Sequence, residues 1–175
     1  TLIEHLLERL KPVTDELIVA VKDARAFRHL RATIVEDCVP DAYALGGLYT
    51  GLRAASHELC FVCACDSPFL NVLLIRFLVE QADGYELVIP KTRHGLEPLH
   101  ALYAKPVLRA IEEQLRSHQW DLNVLTLKVC AKFIECDAIH RFDPEELSFF
   151  NINAPDDLAQ ALLIQQRRET STTEP

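Results

Sequence analysis

Short apolar runs alternate with helical stretches along this sequence, and this alternation restricts the fold more than any other feature. Each run is long enough for a strand that is buried on both faces, and two of the runs stop directly on acidic residues. Such alternation is typical of an α/β sandwich with a mainly parallel sheet. The predicted strands are Glu16–Val21, Ala32–Val35, Leu59–Ala64, Glu86–Pro90, Pro98–Tyr103 and Val129–Cys136.

Helical patterns fill the segments beside these strands. In the first of them, leucine and isoleucine residues between Leu2 and Leu10 fall on one helical face, and Pro12 closes the segment. Pro106 and Pro155 each open a helix, because proline is favoured in the first helical turn. The remaining predictions are helices over Leu45–Ala55 and Asn71–Gln81, a continuation from Pro106 to His118, and a last helix over Asp156–Arg167.

The length of 175 residues fits one compact domain, and no repeat or Pro/Gly/Ser-rich linker divides the chain. We therefore predict a single three-layer α/β domain over residues 1–168, followed by a polar tail, 169–175, that frays. Two counts depart from average composition. The chain has no Met, and it has 5 Gly where average usage gives roughly a dozen.

Charge and hydropathy exclude two classes of partner. The formal net charge is −8, and the one concentrated basic pair, Arg167-Arg168, is not the footprint of a nucleic-acid groove. No apolar run approaches the roughly 18 residues of a membrane span, and residues 1–11 hold acids that a secretory signal lacks. Six cysteines in a chain of this size need no disulfides, so we predict reduced thiols and a cytoplasmic location.

Two acidic residues, Asp37 and Asp66, lie just past predicted strands. Ligands of open α/β sheets bind outside the carboxyl ends of the parallel strands, so both are candidate site residues. Pro68 makes the chain turn sharply after Asp66, and an acid at such a turn can hold Mg²⁺ against nucleotide phosphates. Two alternatives stay open: Asp66 caps the next helix in competition with Ser67 or Asn71, and Asp37 is a solvated turn residue.

Three clustered thiols, Cys60, Cys63 and Cys65, resemble a metal site at first sight. Zinc sites usually have paired Cys/His knuckles separated by a loop, whereas these thiols lie in or beside one predicted strand. Because side chains alternate faces along a strand, Cys60 points away from the other two. Small buried hydrophobic residues are the favoured interpretation.

Other polar features have both a functional and an ordinary interpretation. Gly46-Gly47 at the start of a helix offers free N–H groups to an anion, although such a turn needs no ligand. Asn151 and Asn153 alternate along an extended segment, where amides can complete a metal shell or contact a nucleoside, but Asn153 can also cap a helix. Lys91, Arg93 and His94 form a basic loop that is either solvated surface or a site for an anionic substrate.

Together these motifs resemble the molybdenum cofactor guanylyltransferases, which are nucleotidyltransferases with a Rossmann-like fold. The matching pieces occur in the family's order and span nearly the whole chain, and C-D-x-P-F together with N-x-N-x-P-x-D-L is fairly specific. They are T-L-I-E-H-L-L-E-R-L (1–10), V-E-D (35–37), L-G-G-L-Y-T-G-L (45–52), C-D-S-P-F-L (65–70), E-P-L-H-A-L-Y (97–103) and N-I-N-A-P-D-D-L (151–158).

The resemblance implies an enzyme that transfers GMP from GTP to the terminal phosphate of molybdopterin, with Mg²⁺ as cofactor and pyrophosphate as the second product. It implies that molybdoenzymes or their chaperones are further partners. The residues that it assigns are a metal-binding and catalytic Asp66, catalytic amides Asn151 and Asn153, nucleotide-binding Asp37, Gly46, Gly47 and Asp66, and acceptor-binding Arg93, His94 and Glu97.

The sequence departs from the family pattern at two points. The family begins with a strand and a glycine-rich loop that hold the triphosphate, and we expect both to lie upstream of Thr1. That strand belongs in the middle of the sheet, so its absence is expected to open the core. In addition, Tyr43-Ala44 stand where the family usually has Gly-Pro.

Two alternative functions are retained. One keeps the fold and changes the substrate, to CTP or to a sugar-phosphate acceptor. The other is a degenerate relative that binds nucleotide without turnover, which the expected absence of the triphosphate loop motivates. Guanylyl transfer is favoured because C-D-S-P replaces a G-D-Q-P-like string.

Overall fold

The predicted alternation of strands and helices is present in the structure, a computed structural model that describes residues 1–172. Residues 173–175 of the predicted tail lie outside the described residues. The seven strands are β1 (Ile18–Val21), β2 (Thr33–Glu36), β3 (Leu59–Cys63), β4 (Leu87–Thr92), β5 (Gly95–Leu96), β6 (His100–Ala104) and β7 (Ala131–Glu135). The six α-helices are α1 (Leu2–Leu10), α2 (Tyr43–Ala54), α3 (Val72–Glu80), α4 (Leu108–Arg116), α5 (Cys136–His140) and α6 (Pro155–Thr172).

Local sequence accounts for most helix boundaries. Thr1 and Glu4 form a reciprocal capping box at the start of α1, and the leucines of its apolar face are buried. The last helix, α6, is longer than predicted and takes in part of the expected tail. The short strand β5 was not predicted from the sequence, because two residues carry no readable alternation.

The main sheet has the order β3–β6–β4–β7, with β5 on the outer part of β4. Strands β4 and β7 run parallel, whereas β6 runs antiparallel to both of its neighbours, β3 and β4. The mainly parallel prediction is therefore only partly confirmed. Strand β6 runs antiparallel to β4 because the connection between them is too short for the crossover that a parallel pair needs.

The other two strands form a separate parallel pair, with Ile18 opposite Thr33 and Val21 opposite Glu36. Within residues 1–172, β1 pairs only with β2, and β3 pairs only with β6. A cavity of about 640 Å³ lies between β1 and β3 and is also bordered by the apolar faces of α1 and α2. The core is therefore open between these two strands.

Strand burial differs between the two parts. The central residues of β4 and β6 are almost fully buried beneath helices, whereas all four residues of β1 are only half-buried. The largest buried cluster joins α2 and α4 to β4 and β6. The carboxyl end of β3 is thus held from one side by a packed sheet and borders the cavity on the other.

Two of the three clustered cysteines, Cys60 and Cys63, lie in β3 and are partly buried, whereas Cys65 is exposed after the strand. Burial raises the pKa of Cys63 to about 12, which keeps it a neutral thiol. In the described part of the chain no group of three or more His, Cys, Asp or Glu side chains is placed to hold a metal. The prediction of buried residues therefore fits Cys60 and Cys63 but not Cys65.

Candidate active site

Asp66 lies just past the carboxyl end of β3, where the sequence predicts a ligand-binding acid. Its carboxylate oxygen Oδ1 is buried and has no hydrogen-bond partner among the described residues. An unpartnered buried carboxylate oxygen is costly, so it favours a positively charged ligand at this point. The structure therefore leaves Asp66 free to bind a cation.

The alternative that Asp66 caps the next helix is wrong. The cap of α3 is Asn71, whose Oδ1 accepts hydrogen bonds from the backbone N–H groups of Leu73 and Leu74. The Asn71 amide also donates to the carbonyl of Phe142 at 2.8 Å, which fixes the helix against the later part of the chain. Asn71 carries the cap, so the structure does not explain Asp66 by a role at the helix end.

The N-I-N segment joins the Asp66 turn across 84 residues of sequence. Ser67 Oγ donates a hydrogen bond to Asn151 Oδ1 at 2.7 Å, and the Ile152 N–H donates to the Asp66 carbonyl at 2.9 Å. Ser67 is 3% exposed, so its end of this contact is buried. The structure thus brings together Asp66 and Asn151, two of the three predicted catalytic residues.

Asn153 lies two residues further on, and its side chain is exposed. Its backbone N–H and that of Ala154 both donate to Asp157 Oδ2, at 2.9 and 2.8 Å. The Asn153 side chain makes no hydrogen bond within residues 1–172, so it is not the cap of α6. Its amide is therefore available to a ligand beside Asn151.

Asp37 organises the loop that leads from β2 into α2. Its Oδ1 accepts hydrogen bonds from the Val39 N–H at 2.9 Å and from Thr50 Oγ1 at 3.1 Å. A Cβ atom at Gly46 would lie 2.2 Å from the Val39 carbonyl oxygen and 3.0 Å from Asp37 Oδ2. Gly46 is therefore required for the close approach of this loop to the helix, and Asp37 is a bonded loop residue rather than a solvated one.

Helix α2 begins at Tyr43, so Gly46 and Gly47 lie further into it than predicted. The N–H groups that a helix leaves unpaired belong to its cap and first three residues, and both glycines follow them. The expectation that these two glycines offer free N–H groups is therefore wrong. Ala44 and Gly47 instead border the same cavity as Ala64 and Cys65, which precede Asp66.

Tyr43 has the backbone angles φ 52° and ψ −130°, a conformation that favours glycine. Its side chain is 72% exposed. This is the position at which the family pattern has glycine, so the departure seen in the sequence costs backbone strain at the start of α2.

The three predicted acceptor-binding residues lie on the β4–β5 hairpin or just after it. Thr92 Oγ1 donates to Glu97 Oε1 at 3.0 Å and accepts from the His94 N–H at 3.1 Å, which ties the turn together. Burial raises the pKa of Glu97. Arg93 Nε lies 3.1 Å from Oε2 of Glu146, and Glu146 lies on the loop that precedes the N-I-N segment.

A buried histidine, His100, lies next to the carboxyl end of β3. His100 is 2% exposed, opposes Cys63 in the β3–β6 register, and packs its ring against Phe61 and Phe149. Neither ring nitrogen has a partner among the described residues, and burial lowers the pKa of His100 to about 4. The histidine is therefore neutral at pH 7, as a core residue rather than a cation.

Sequence reasoning missed three residues of this region: Asp143, His140 and Glu146. Asp143 is buried and accepts hydrogen bonds from the N–H groups of Leu147 and Ser148, while Glu146 contacts both His140 and Arg93. Acid-rich segments such as D-P-E-E are common on protein surfaces, so only the tertiary contacts distinguish these residues from ordinary surface acids. Ser67 was considered only as a helix cap, and its bond to Asn151 had no local signal.

The donor set fits Mg²⁺ at Asp66. Mg²⁺ is usually bound by one or two carboxylates, with substrate phosphates and water completing the shell. Asp66 offers one unpartnered carboxylate oxygen, and the segment bonded to its turn carries two exposed amides, those of Asn151 and Asn153. Such a site is incomplete without phosphate oxygens, which agrees with a centre that forms around a nucleotide.

The arrangement of acid, amides and cationic hairpin at the end of an α/β sheet is that of a nucleotidyltransferase, and comparison with known proteins identifies the family. The model of the MobA-like NTP transferase domain matches residues 1–125. The chain therefore belongs to this family of nucleotidyltransferases.

Individual relatives agree with this assignment. A probable molybdenum cofactor guanylyltransferase of Pelotomaculum thermopropionicum is 32% identical over 161 residues, which cover 92% of this chain and 78% of that protein. Another, from Methanosarcina mazei, is 34% identical over 170 residues, covering 90% and 76%. The crystal structure of molybdopterin-guanine dinucleotide biosynthesis protein A from Archaeoglobus fulgidus matches with a TM-score of 0.82 at 26% identity, covering 95% of this chain and 86% of that one.

The absence of an apolar span in the sequence has a counterpart in the structure. Across residues 1–172, no helix combines the length and the apolar character that crossing a membrane requires.

Proposed function

We propose that this protein transfers GMP from GTP to the terminal phosphate of molybdopterin and releases pyrophosphate. One observation carries the proposal: the unpartnered buried Oδ1 of Asp66, held beside Asn151 by the bonds from Ser67 and Ile152. The names of the relatives support guanylyl transfer within the nucleotidyltransferase class.

The reaction needs no nucleophile from the protein. A molybdopterin phosphate oxygen attacks the α-phosphorus of GTP, a new P–O bond forms, and the bond to the β-phosphate breaks as pyrophosphate leaves. Positioning and charge stabilisation supply most of the catalysis in such transfers. The Asp66 turn and the N-I-N segment are suited to this role because their mutual hydrogen bonds fix them in place.

Asp66 would hold Mg²⁺, with Asn151 and Asn153 as neighbouring oxygen donors. When bound there, Mg²⁺ would neutralise charge on the nucleotide phosphates. Asp37 and Gly46 act at the nucleotide side indirectly, since their contacts set the position of α2 at the cavity. Gly47 borders that cavity and leaves room there for the nucleotide.

The acceptor side is assigned to Arg93, His94 and Glu97. The Arg93 side chain is 65% exposed and that of His94 is also exposed, so both can meet an anionic group in solution. Glu97 is held at the same turn by the hydrogen bond that Thr92 Oγ1 donates to its carboxylate. The proposal extends to a cytoplasmic location and to delivery of the product to molybdoenzymes or their chaperones.

The test uses the protein expressed from its complete reading frame. Pyrophosphate release is followed with molybdopterin and, in turn, GTP, CTP or ATP, and the dinucleotide product is identified by mass. Asp66→Ala is expected to lower the rate by at least about 100-fold, as loss of a group that stabilises transition-state charge does. Asp83→Ala is the matched control, because Asp83 is exposed in a turn before β4, at the opposite end of the sheet.

Unchanged turnover in Asp66→Ala would contradict the proposal. A preference for CTP would instead support the retained cytidylyl alternative. Binding of GTP without any product, measured by calorimetry on the same protein, would support the non-catalytic one.

A further inference from the structure

One carboxylate links two parts of the molecule that the proposed reaction uses. Glu146 has a side chain only 4% exposed, and its two oxygens face two different side chains, the imidazole of His140 and the guanidinium of Arg93. Oε1 lies 2.9 Å from His140 Nε2 on α5, and Oε2 lies 3.1 Å from Arg93 Nε on the β4–β5 hairpin. The Arg93 contact is not aligned as a hydrogen bond, so it acts as a charge contact.

The loop that carries Glu146 is held in an uncommon conformation. Glu146 has φ 56° and ψ 31°, in the left-handed region. The buried Asp143 carboxylate fixes this loop by accepting hydrogen bonds from the N–H groups of Leu147 and Ser148, at 3.1 and 2.7 Å. A charged side chain in a strained and buried position indicates a constraint beyond local folding preference.

The contact determines what Arg93 presents to solvent. A guanidinium group has one edge that includes Nε and an outer fork made of the two terminal nitrogens. Glu146 faces Nε, and the structure gives the guanidinium no other hydrogen bond or ion pair within residues 1–172. The outer fork is therefore free, on a side chain that is 65% exposed, and a fork of this shape matches two oxygens of a phosphate.

The same loop continues into the site. Asn151 and Ile152 follow Glu146 closely and bond to Ser67 and Asp66. The buried Glu146 side chain thus links the hairpin that carries Arg93 to the segment that supplies the proposed catalytic amides.

We propose that Glu146 is a positioning residue that, braced by His140, orients the Arg93 fork to bind the phosphate monoester of the acceptor. This inference rests on the proposed function only for the identity of the acceptor. The anion-binding geometry itself follows from the contacts of Arg93, Glu146 and His140.

The kinetic test compares Glu146→Gln with the full-length protein. The amide keeps the size of the side chain and removes its charge, so the KM for molybdopterin should rise about tenfold, with kcat and the KM for GTP nearly unchanged. Arg93→Ala should raise the same KM, and the double variant should add little more, because both changes remove one interaction. Glu135→Gln is the control, since Glu135 pairs with Lys91 on the same hairpin but is exposed and makes no ion pair with Arg93 or His140 within residues 1–172.

A second measurement does not depend on turnover. The Arg93 Nε–H signal in ¹⁵N NMR spectra, assigned by its loss in Arg93→Ala, should shift saturably on titration with phenyl phosphate. Glu146→Gln should weaken that binding by about tenfold as well, whereas Glu135→Gln should leave it unchanged.

The outcomes separate this inference from the proposed function. No shift of the Arg93 signal with phenyl phosphate, or a loss of kcat in Glu146→Gln without a change in acceptor KM, overturns the inference. A protein that makes no guanylylated product but shows the phosphate shift and its weakening in Glu146→Gln refutes the proposed function and supports the inference.

Discussion

The two strand groups of this molecule, the β3–β6–β4–β7 sheet and the β1–β2 pair, differ in how completely they are built. Central residues of the larger sheet are fully buried, whereas β1 faces the cavity of about 640 Å³ and is half-buried throughout. The site divides along the same line. On the sheet side, the Asp66–Ser67 turn is hydrogen-bonded to the N-I-N segment. On the other side, Asp37 is hydrogen-bonded to Val39 and Thr50, next to Gly46. No hydrogen bond joins the two groups within residues 1–172.

This difference shows that the side for which we propose metal and acceptor binding is fixed by packing within the described residues. Within residues 1–172, the side for which we propose nucleotide binding is held by α2 and its loop, across an open core. The same kind of substitution should therefore change stability by different amounts in the two strand groups.

The largest expected contrast is between two isoleucines. Ile89→Ala in β4 removes a fully buried side chain and should lower the free energy of unfolding by about 2–5 kcal/mol. Ile18→Ala in β1 removes a half-buried side chain that already borders the cavity, so the loss should stay near 1 kcal/mol. Urea unfolding of both variants measures the difference. Equal losses would show that the cavity is closed in solution.

A pH effect is expected on the sheet side. The pKa of His100 is lowered from 6.5 to about 4 by burial, so the unfolded chain binds a proton that the folded protein does not. Stability from this group is complete above pH 6.5 and falls as the pH drops toward 4, by up to roughly 3 kcal/mol. Glu97, with a raised pKa, acts in the opposite sense.

The measurement is the free energy of unfolding at pH 7 and pH 5 for the wild type and His100→Phe. The phenyl ring can pack between Phe61 and Phe149, so the variant should lose less stability on acidification. An identical pH dependence in both proteins would rule out His100 as the source.

On the cavity side, two adjacent glycines should respond differently to the same change. Gly46→Ala places a Cβ against the Val39 carbonyl and should cost about 1–3 kcal/mol, since backbone has to move. Gly47→Ala meets nothing within 4 Å and should be neutral or gain about 0.5–1 kcal/mol from helix propensity. Thermal unfolding of both variants is the test, and a neutral Gly46→Ala would show that the Asp37 loop is mobile.

The smallest effect is expected at Tyr43. Tyr43→Gly relieves a positive φ but makes the unfolded chain more flexible, so the net gain should be about 0.5–1 kcal/mol. Differential scanning calorimetry resolves a shift of this size. A loss of stability would mean that the exposed ring makes contacts in solution that outweigh the strain.

Much of the fold could be predicted from the sequence. The apolar runs correctly predicted β1, β2, β3, β4, β6 and β7, because buried strands are recognisable from composition over a few residues. Strand direction was harder to predict. The residues of Pro98–Tyr103 do not indicate that β6 lies antiparallel between β3 and β4, because strand pairing depends on which strands meet in space.

The site was predicted unevenly for a similar reason. Asp66 was found because an acid after a buried strand has a positional meaning in α/β sheets. Which residue caps α3 was not decidable, because Ser67 and Asn71 are both good caps and only the bond from Ser67 to Asn151 removes one of them. Glu146 gave no signal, because its partners lie at positions 93 and 140.

The sequence alone determined the class of fold, the family and the acid at the end of β3, since each depends on local patterns or ordered motifs. Tertiary structure decided where the core is open, which polar groups are already bonded, and which remain free for a ligand. These are properties of segments far apart in the chain, so they follow from packing and hydrogen bonding across the molecule rather than from any local run of residues.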